Sequence, residues 1–169
     1  MTAMKQVRRA VTAAIENAGC AAAGAYDEER LKRRDCAVAA VGLREARIEG
    51  AGLTDYLGRR VSEETQESVE VYGRQMTLAL SLDVYAPRTL GAAGCETAAE
   101  TITQAMLTAL PEGLRLEALK WDEIAWDKTS GMFRLCARAE YRAYFVAEAA
   151  EENTVFTDFV LKGTVKEHE

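Results

Sequence analysis

The residues of this 169-residue chain with the clearest chemical potential are a row of arginines, two aromatic–acid pairs, four cysteines and one histidine. Arg134, Arg138 and Arg142 recur every four residues. On a strand they share one face at intervals of about 13 Å. That is too far apart to clamp one phosphate but suits pairing with acids on neighbouring strands. Glu140 lies within the row, and Asp83 and Glu70 are candidates across the ladder. Three uses fit such a row: a solvated, salt-bridged sheet face, a subunit interface, or nucleic-acid contact. Tyr144 extends it, and Arg and Tyr are enriched where proteins meet.

Trp121-Asp122-Glu123 and Trp126-Asp127 place carboxyls beside aromatics. General acid–base work needs such a group with a shifted pKa in a cleft, whereas acids at hairpin ends commonly face solvent. The sole histidine, His168, stands next to the C-terminal residue. Cys20, Cys36, Cys95 and Cys136 lack the spacing of a zinc knuckle or thioredoxin-like motif, so they read as reduced, mostly buried thiols. A phosphate loop is missing, and neither Gly50-Ala51-Gly52 nor Gly91-Ala92-Ala93-Gly94 completes a dinucleotide fingerprint. No serine sits in a nucleophile elbow. The expectation is therefore no catalytic, cofactor-binding or metal-ligating residues.

The arginine row belongs to a run, Met132 to Ala147, that alternates almost without a break. Phe133, Leu135, Ala137, Ala139, Tyr141, Ala143 and Phe145 point one way; Arg134, Arg138, Glu140, Arg142 and Tyr144 point the other. Tyr72 to Ala86 alternates similarly, with Met76, Leu78, Leu80, Leu82 and Val84 set against Arg74, Gln75, Thr77, Ser81 and Asp83. These are two long strands, each with one core-facing side.

Met4, Val7, Val11, Ile15 and Ala18 mark an amphipathic helix ending at Gly19. A charged segment, Ala25 to Asp35, precedes an apolar strand from Cys36 to Leu43 that continues into Arg44–Glu49. Residues 50–68 read as a long loop or protruding hairpin. Gly91 to Gly94 reads as a loop before a second helix, with Thr97 and Glu100 as its capping box and Pro111 and Gly113 as its stop. Leu114 to Trp126 reads as a strand with a bulge near Ala118–Leu119, joined through the turn Asp127–Gly131 to the arginine-bearing strand. Val155 to Leu161 forms a last short strand, and residues 163–169 a frayed tail.

One α+β domain over residues 1–169 satisfies these patterns: an antiparallel or mixed sheet with two helices packed on one face and a long loop or hairpin extension.

A net charge of −6 argues against a general phosphate-backbone binder. No apolar run reaches the roughly 18–20 residues that span a bilayer, and no continuous apolar stretch follows the basic N-terminus. A cytoplasmic protein with no membrane contact is expected. Glu63, Glu64, Glu67 and Glu70 make an acidic run that reads as a solvated loop. In a ring, the same residues would line a hole and repel a polyanion from its wall.

The stretch from Val69 to Pro87, the Ser130–Phe133 turn and Phe156–Gly163 resemble small proteins of prophage morphogenesis clusters in Gram-positive bacteria. The order helix–strands–helix–strands is similar to that of tail terminator and tail-completion proteins of long-tailed phages. That resemblance implies a homo-oligomeric ring, commonly a hexamer, which caps the tail tube and joins it to the head. It implies tail-tube and neck proteins as partners, DNA passing through without specific binding, incorporation into the virion, no cofactor and no enzymatic activity. The family supplies no motif for its contact residues. Arg134, Arg138, Arg142 and Tyr144 as candidate subunit interface, and Glu63, Glu64 and Glu67 as candidate lumen or loop acids, follow from the alternation and charge alone. The rival reading is a small ligand-binding module or enzyme working on the polar sheet face or near Trp121 and Trp126. A head-closure or neck connector would differ from a terminator only in its partner.

Overall fold

Two long alternating strands dictate a sheet, and the computed structural model, which describes residues 3–24, 35–51, 55–61, 66, 68–149 and 160–161, places them side by side at its centre. In chain order the elements are α1 (Ala3–Asn17), β1 (Ala21–Ala23), β2 (Val38–Gly50), β3 (Tyr56–Val61), β4 (Ser68–Ala86), α2 (Gly91–Thr108), β5 (Leu114–Asp127), β6 (Met132–Ala149) and β7 (Val160–Leu161). They build one seven-stranded mixed sheet in the order β1-β2-β4-β6-β5, with β3 paired to β4 and β7 to β6. Among the described strands only β1 and β2 run parallel; every other pair is antiparallel. This is the expected α+β fold.

The β4–β6 ladder runs from Glu70 to Ala86, so β2 and β3 must share the other edge of β4, end to end. Together they make one interrupted strand along that edge. The segment 50–68 therefore contains a hairpin rather than a plain loop: Tyr56–Val61 folds back antiparallel on Ser68–Tyr72.

Both helices cover the same face, because the inward-pointing apolar residues can leave water only there. Val7, Val11 and Ile15 of α1 and Cys95, Ala98, Ile102 and Met106 of α2 join Met76, Leu78, Leu80, Leu82 and Val84 of β4 in one core. From β6, Leu135, Ala137, Ala139, Tyr141, Ala143 and Phe145 enter the same core, as their alternation requires. The Tyr141 hydroxyl is fully buried there, donating to Met106 Sδ at 3.0 Å, and burial pushes its pKa far above the ordinary tyrosine value. A small second cluster, Val38, Ala40, Tyr85 and Met132, sits on the opposite face.

Several local expectations change. Gly91–Gly94 is the first turn of α2, not a loop, and Thr97 lies inside the helix instead of capping it. A Cβ on Gly94 would stand 2.7 Å from the Leu90 Cβ and 3.2 Å from the Ala86 Cβ, so glycine lets this turn sit directly on the end of β4. Arg74 shares the face of Met76, where it pairs with Asp55 at 2.8 Å. The bulge expected near Ala118 falls between Leu116 and Ala118, and a second separates Trp121 from Ile124. Of the last strand, only Val160–Leu161 lies within the described residues. Among those residues, no helix is long and apolar enough to cross a membrane.

Candidate functional site

The face of the sheet turned away from the helices carries the arginine row. Each arginine finds an acid, and the register decides which. Arg134 stands opposite Tyr85 on β4, and its guanidinium reaches diagonally to Asp83 (Nη2–Oδ2 3.1 Å). It also lies over the Tyr85 ring, 5.5 Å from the centroid, a cation–π distance. Asp83 is only 8 % exposed, and Arg44 approaches it to 3.8 Å from the other side.

Four residues along, Arg138 stands opposite Ser81 and bridges two acids: Glu45 on β2 at 3.2 Å and Glu140 on its own strand at 3.0 Å. Those bonds, that to Glu140 foremost, hold the Arg138 guanidinium above its ordinary pKa. Arg142 turns the opposite way across the sheet, to Glu117 of β5 at 2.9 Å. Tyr144 closes the row with its hydroxyl donating to Gln75 Oε1 at 3.4 Å.

Two of these acids occupy irregular places in the ladders. Arg44 is the residue skipped in the β2 register, with Glu45 directly after it, and Glu117 is the residue skipped in the β5 register. A bulge adds one residue and re-aims its neighbours, which strict alternation does not anticipate. Of the acids expected across the ladder, Asp83 pairs with the row. Glu70 does not: Arg142 is opposite Thr77, and Glu70 lies seven residues further along β4, roughly 23 Å away. Glu70 instead accepts from the Tyr72 hydroxyl at 2.6 Å and from Arg59 at 3.3 Å, and these bonds, that from Tyr72 first, hold its carboxyl below the usual range.

The floor between β2 and β4 is tight here. A Cβ on Gly42 would lie 2.8 Å from Ser81 Oγ, which donates to the Gly42 carbonyl at 3.4 Å. Cys136 stands on the same face between Arg134 and Arg138. Burial, followed by the nearby Asp83 charge, raises its thiol pKa, which keeps it protonated. Burial likewise raises Cys20 and Cys95, and all four cysteines are free. Among the described residues, no three His, Cys, Asp or Glu side chains gather as a metal site.

The aromatic–acid pairs have structural occupations. The Trp121 indole N–H donates to Thr103 Oγ1 of α2 at 3.1 Å, and Trp126 packs edge-on against Phe133 at 5.1 Å between centroids. Asp127 organises the β5–β6 turn by accepting from Ser130 Oγ at 2.6 Å, Thr129 N at 3.1 Å and Ser130 N at 3.3 Å. The Ser130 hydroxyl bond is the main reason its carboxyl is held below the usual range. Gly131 completes the turn with φ +67°. Asp122 is exposed beside Lys120 at 4.0 Å. His168, Glu63, Glu64 and Glu67 lie outside the described residues.

The arrangement is thus an ordered ion-pair ladder that spans β2, β4, β6 and β5, with positive and negative groups interleaved. Such a surface offers a patterned electrostatic match to another protein, which favours register and specificity over raw affinity. Compared by sequence, the chain matches no protein-family model and no curated protein.

Proposed function

We propose that this chain is a structural virion-assembly protein of a prophage, a ring-forming tail terminator or tail-completion protein that caps the tail tube and joins it to the head. The observation that carries this reading is the amount of ordered sheet that the described residues leave uncovered. From Leu43 to Gly50 every residue of β2 is exposed, and the arginine ladder faces away from the helices. A protein that works by shape and by contacts with its neighbours needs surface of this kind.

Charge supports the same reading. A chain at −6 repels a polyanion, so DNA passes a wall of such subunits without being held. Glu63, Glu64 and Glu67, in the connection between β3 and β4, are the acids proposed for that wall. The arginine face, with Arg138 at its centre, is the proposed contact with a neighbouring subunit, and the tail tube and neck proteins are the proposed partners. The ligand-binding rival loses its motive near Trp121 and Asp127, since both groups are engaged in holding α2 and the turn.

The test is assembly in the presence of purified tail-tube protein, followed by light scattering and negative-stain imaging. Rings or capped tubes are expected. Arg138→Glu should weaken assembly at least about tenfold, since it sets like charges against the ladder, while its thermal midpoint stays near wild type. A chain that remains monomeric at high concentration with tube protein present would sink the proposal. So would a nucleotide, sugar or metal that raises the midpoint by several degrees, which would favour the ligand-binding alternative.

A further inference from the structure

The sheet has two outer edges, and they differ. The β5 edge is broken twice, at Glu117 and again between Trp121 and Ile124, and bulges of this kind twist an edge away from further pairing. The opposite edge is covered by β1 only at Val38–Ala40. Beyond its bulge at Arg44, β2 runs in unbroken register from Glu45 to Gly50, with no other described strand on its outer side. Among the described residues this is a regular, exposed strand edge with no pairing partner on its outer side.

The residues on that edge are complementary to themselves. Centred on Ile48 the order reads small, positive, apolar, negative, small: Ala46, Arg47, Ile48, Glu49, Gly50. Arg47 and Glu49 share the arginine face, while Ala46, Ile48 and Gly50 share the other. In an antiparallel pairing of two copies about a two-fold axis through Ile48, Arg47 falls opposite the second copy's Glu49, and its Glu49 opposite Arg47. Ile48, 49 % exposed, meets itself, and the small Ala46 and Gly50 on either side leave it room. Arg47 and Glu49 pair with each other within the single chain, so the contact exchanges the two internal ion pairs, one in each copy, for two crossed ones.

From this we infer that β2 is a homodimer edge: two copies join through Ala46–Gly50 into one continuous sheet, with both helix layers on one side and both arginine faces on the other. The occupant is a second copy of this chain: β5 carries a similar order at Arg115–Glu117 and Lys120–Asp122, but its register breaks within each of those runs, whereas Glu45–Gly50 is unbroken and complementary to itself. The contact is isologous, so every favourable or unfavourable pair counts twice.

The inference does not rest on the tail-assembly reading, and the two are tested apart, since this one needs the chain alone. Sedimentation or native mass measurement over a range of concentrations should show a species of twice the 18.5 kDa protomer. Arg47→Glu and Glu49→Arg each place like charges opposite one another twice and should each weaken self-association by about tenfold or more. Mixing the two single variants should give a 1:1 heterodimer, because each then supplies the charge that the other lacks. The double variant Arg47→Glu/Glu49→Arg should dimerise like wild type. Both positions are well exposed, and circular dichroism checks that each variant is folded. A wild-type chain that stays monomeric, single variants that dimerise unchanged, or a mixture that fails to form the heterodimer overturns the inference.

Discussion

The two halves of β2 pair with β4 through the same antiparallel ladder, yet Val38–Val41 are buried and Leu43–Gly50 are exposed. On the helix side the difference lies above the sheet, not in it, while on the other face Val38 and Ala40 are covered by their cluster with Tyr85 and Met132. Ala39 and Val41 sit beneath the helices within the common core, while Ile48, on the same face and opposite fully buried Met76, lies outside that core. Strand formation is set by pairing with a neighbour; burial is set by whether a second layer is present. A strand longer than its covering layer has one half that stabilises the fold and one half that is free to make contacts.

The largest effect should come from the core beneath the helices, at the centre of the sheet. Leu80 is fully buried opposite Ala139, with helix residues packed above it. Leu80→Ala removes that contact and leaves a cavity the surrounding strands cannot close, costing about 2–5 kcal/mol in urea unfolding. A loss below about 1 kcal/mol would mean that the two halves of the sheet are not as different as their burial implies.

The strand periodicity of β4 and β6 was legible because the runs are long and half-buried, so each residue type reports its face. β1 was not legible, because three alanines carry no alternation; β3 was legible only as the hairpin alternative for residues 50–68, its bounds being set by its register with β4. The start of α2 was misread because Gly91 and Gly94 look like a loop, whereas the missing side chain at Gly94 serves close packing on Ala86. At the site, the arginines and Asp83 could be named from spacing alone. Glu45 and Glu117 could not, because they flank or occupy irregular places where a register shift re-aims side chains, and such shifts depend on the partner strand.

A middle-sized effect should separate two ion pairs of the same ladder. Asp83 is buried under Arg134 and Arg44 on the covered stretch, whereas Glu45 is exposed and reaches Arg138 on the uncovered one. Asp83→Ala leaves Arg134, itself about two-thirds covered, without its acid and should cost about 1–2 kcal/mol after allowing for solvent screening. Glu45→Ala should leave the urea midpoint within error of wild type, since exposed pairs contribute little. Equal losses for the two would show that the ladder acts as one cooperative network rather than as separate pairs.

The smallest effect sharpens the comparison most. Ile48 matches Leu80 in being an aliphatic side chain on the helix side of the sheet, yet it is 49 % exposed. In dilute solution Ile48→Ala should cost at most about 0.5 kcal/mol, the range of surface substitutions. In concentrated solution the same substitution should cost more, because a two-fold pairing of β2 edges buries Ile48 against its own copy and mass action makes stability depend on protomer concentration. Urea melts of wild type and variant at two concentrations separate the possibilities. A gap that widens with concentration places Ile48 in an intermolecular contact. A large gap already present in the dilute sample would mean that the chain itself covers Ile48, and the contrast between the two halves of β2 would fail.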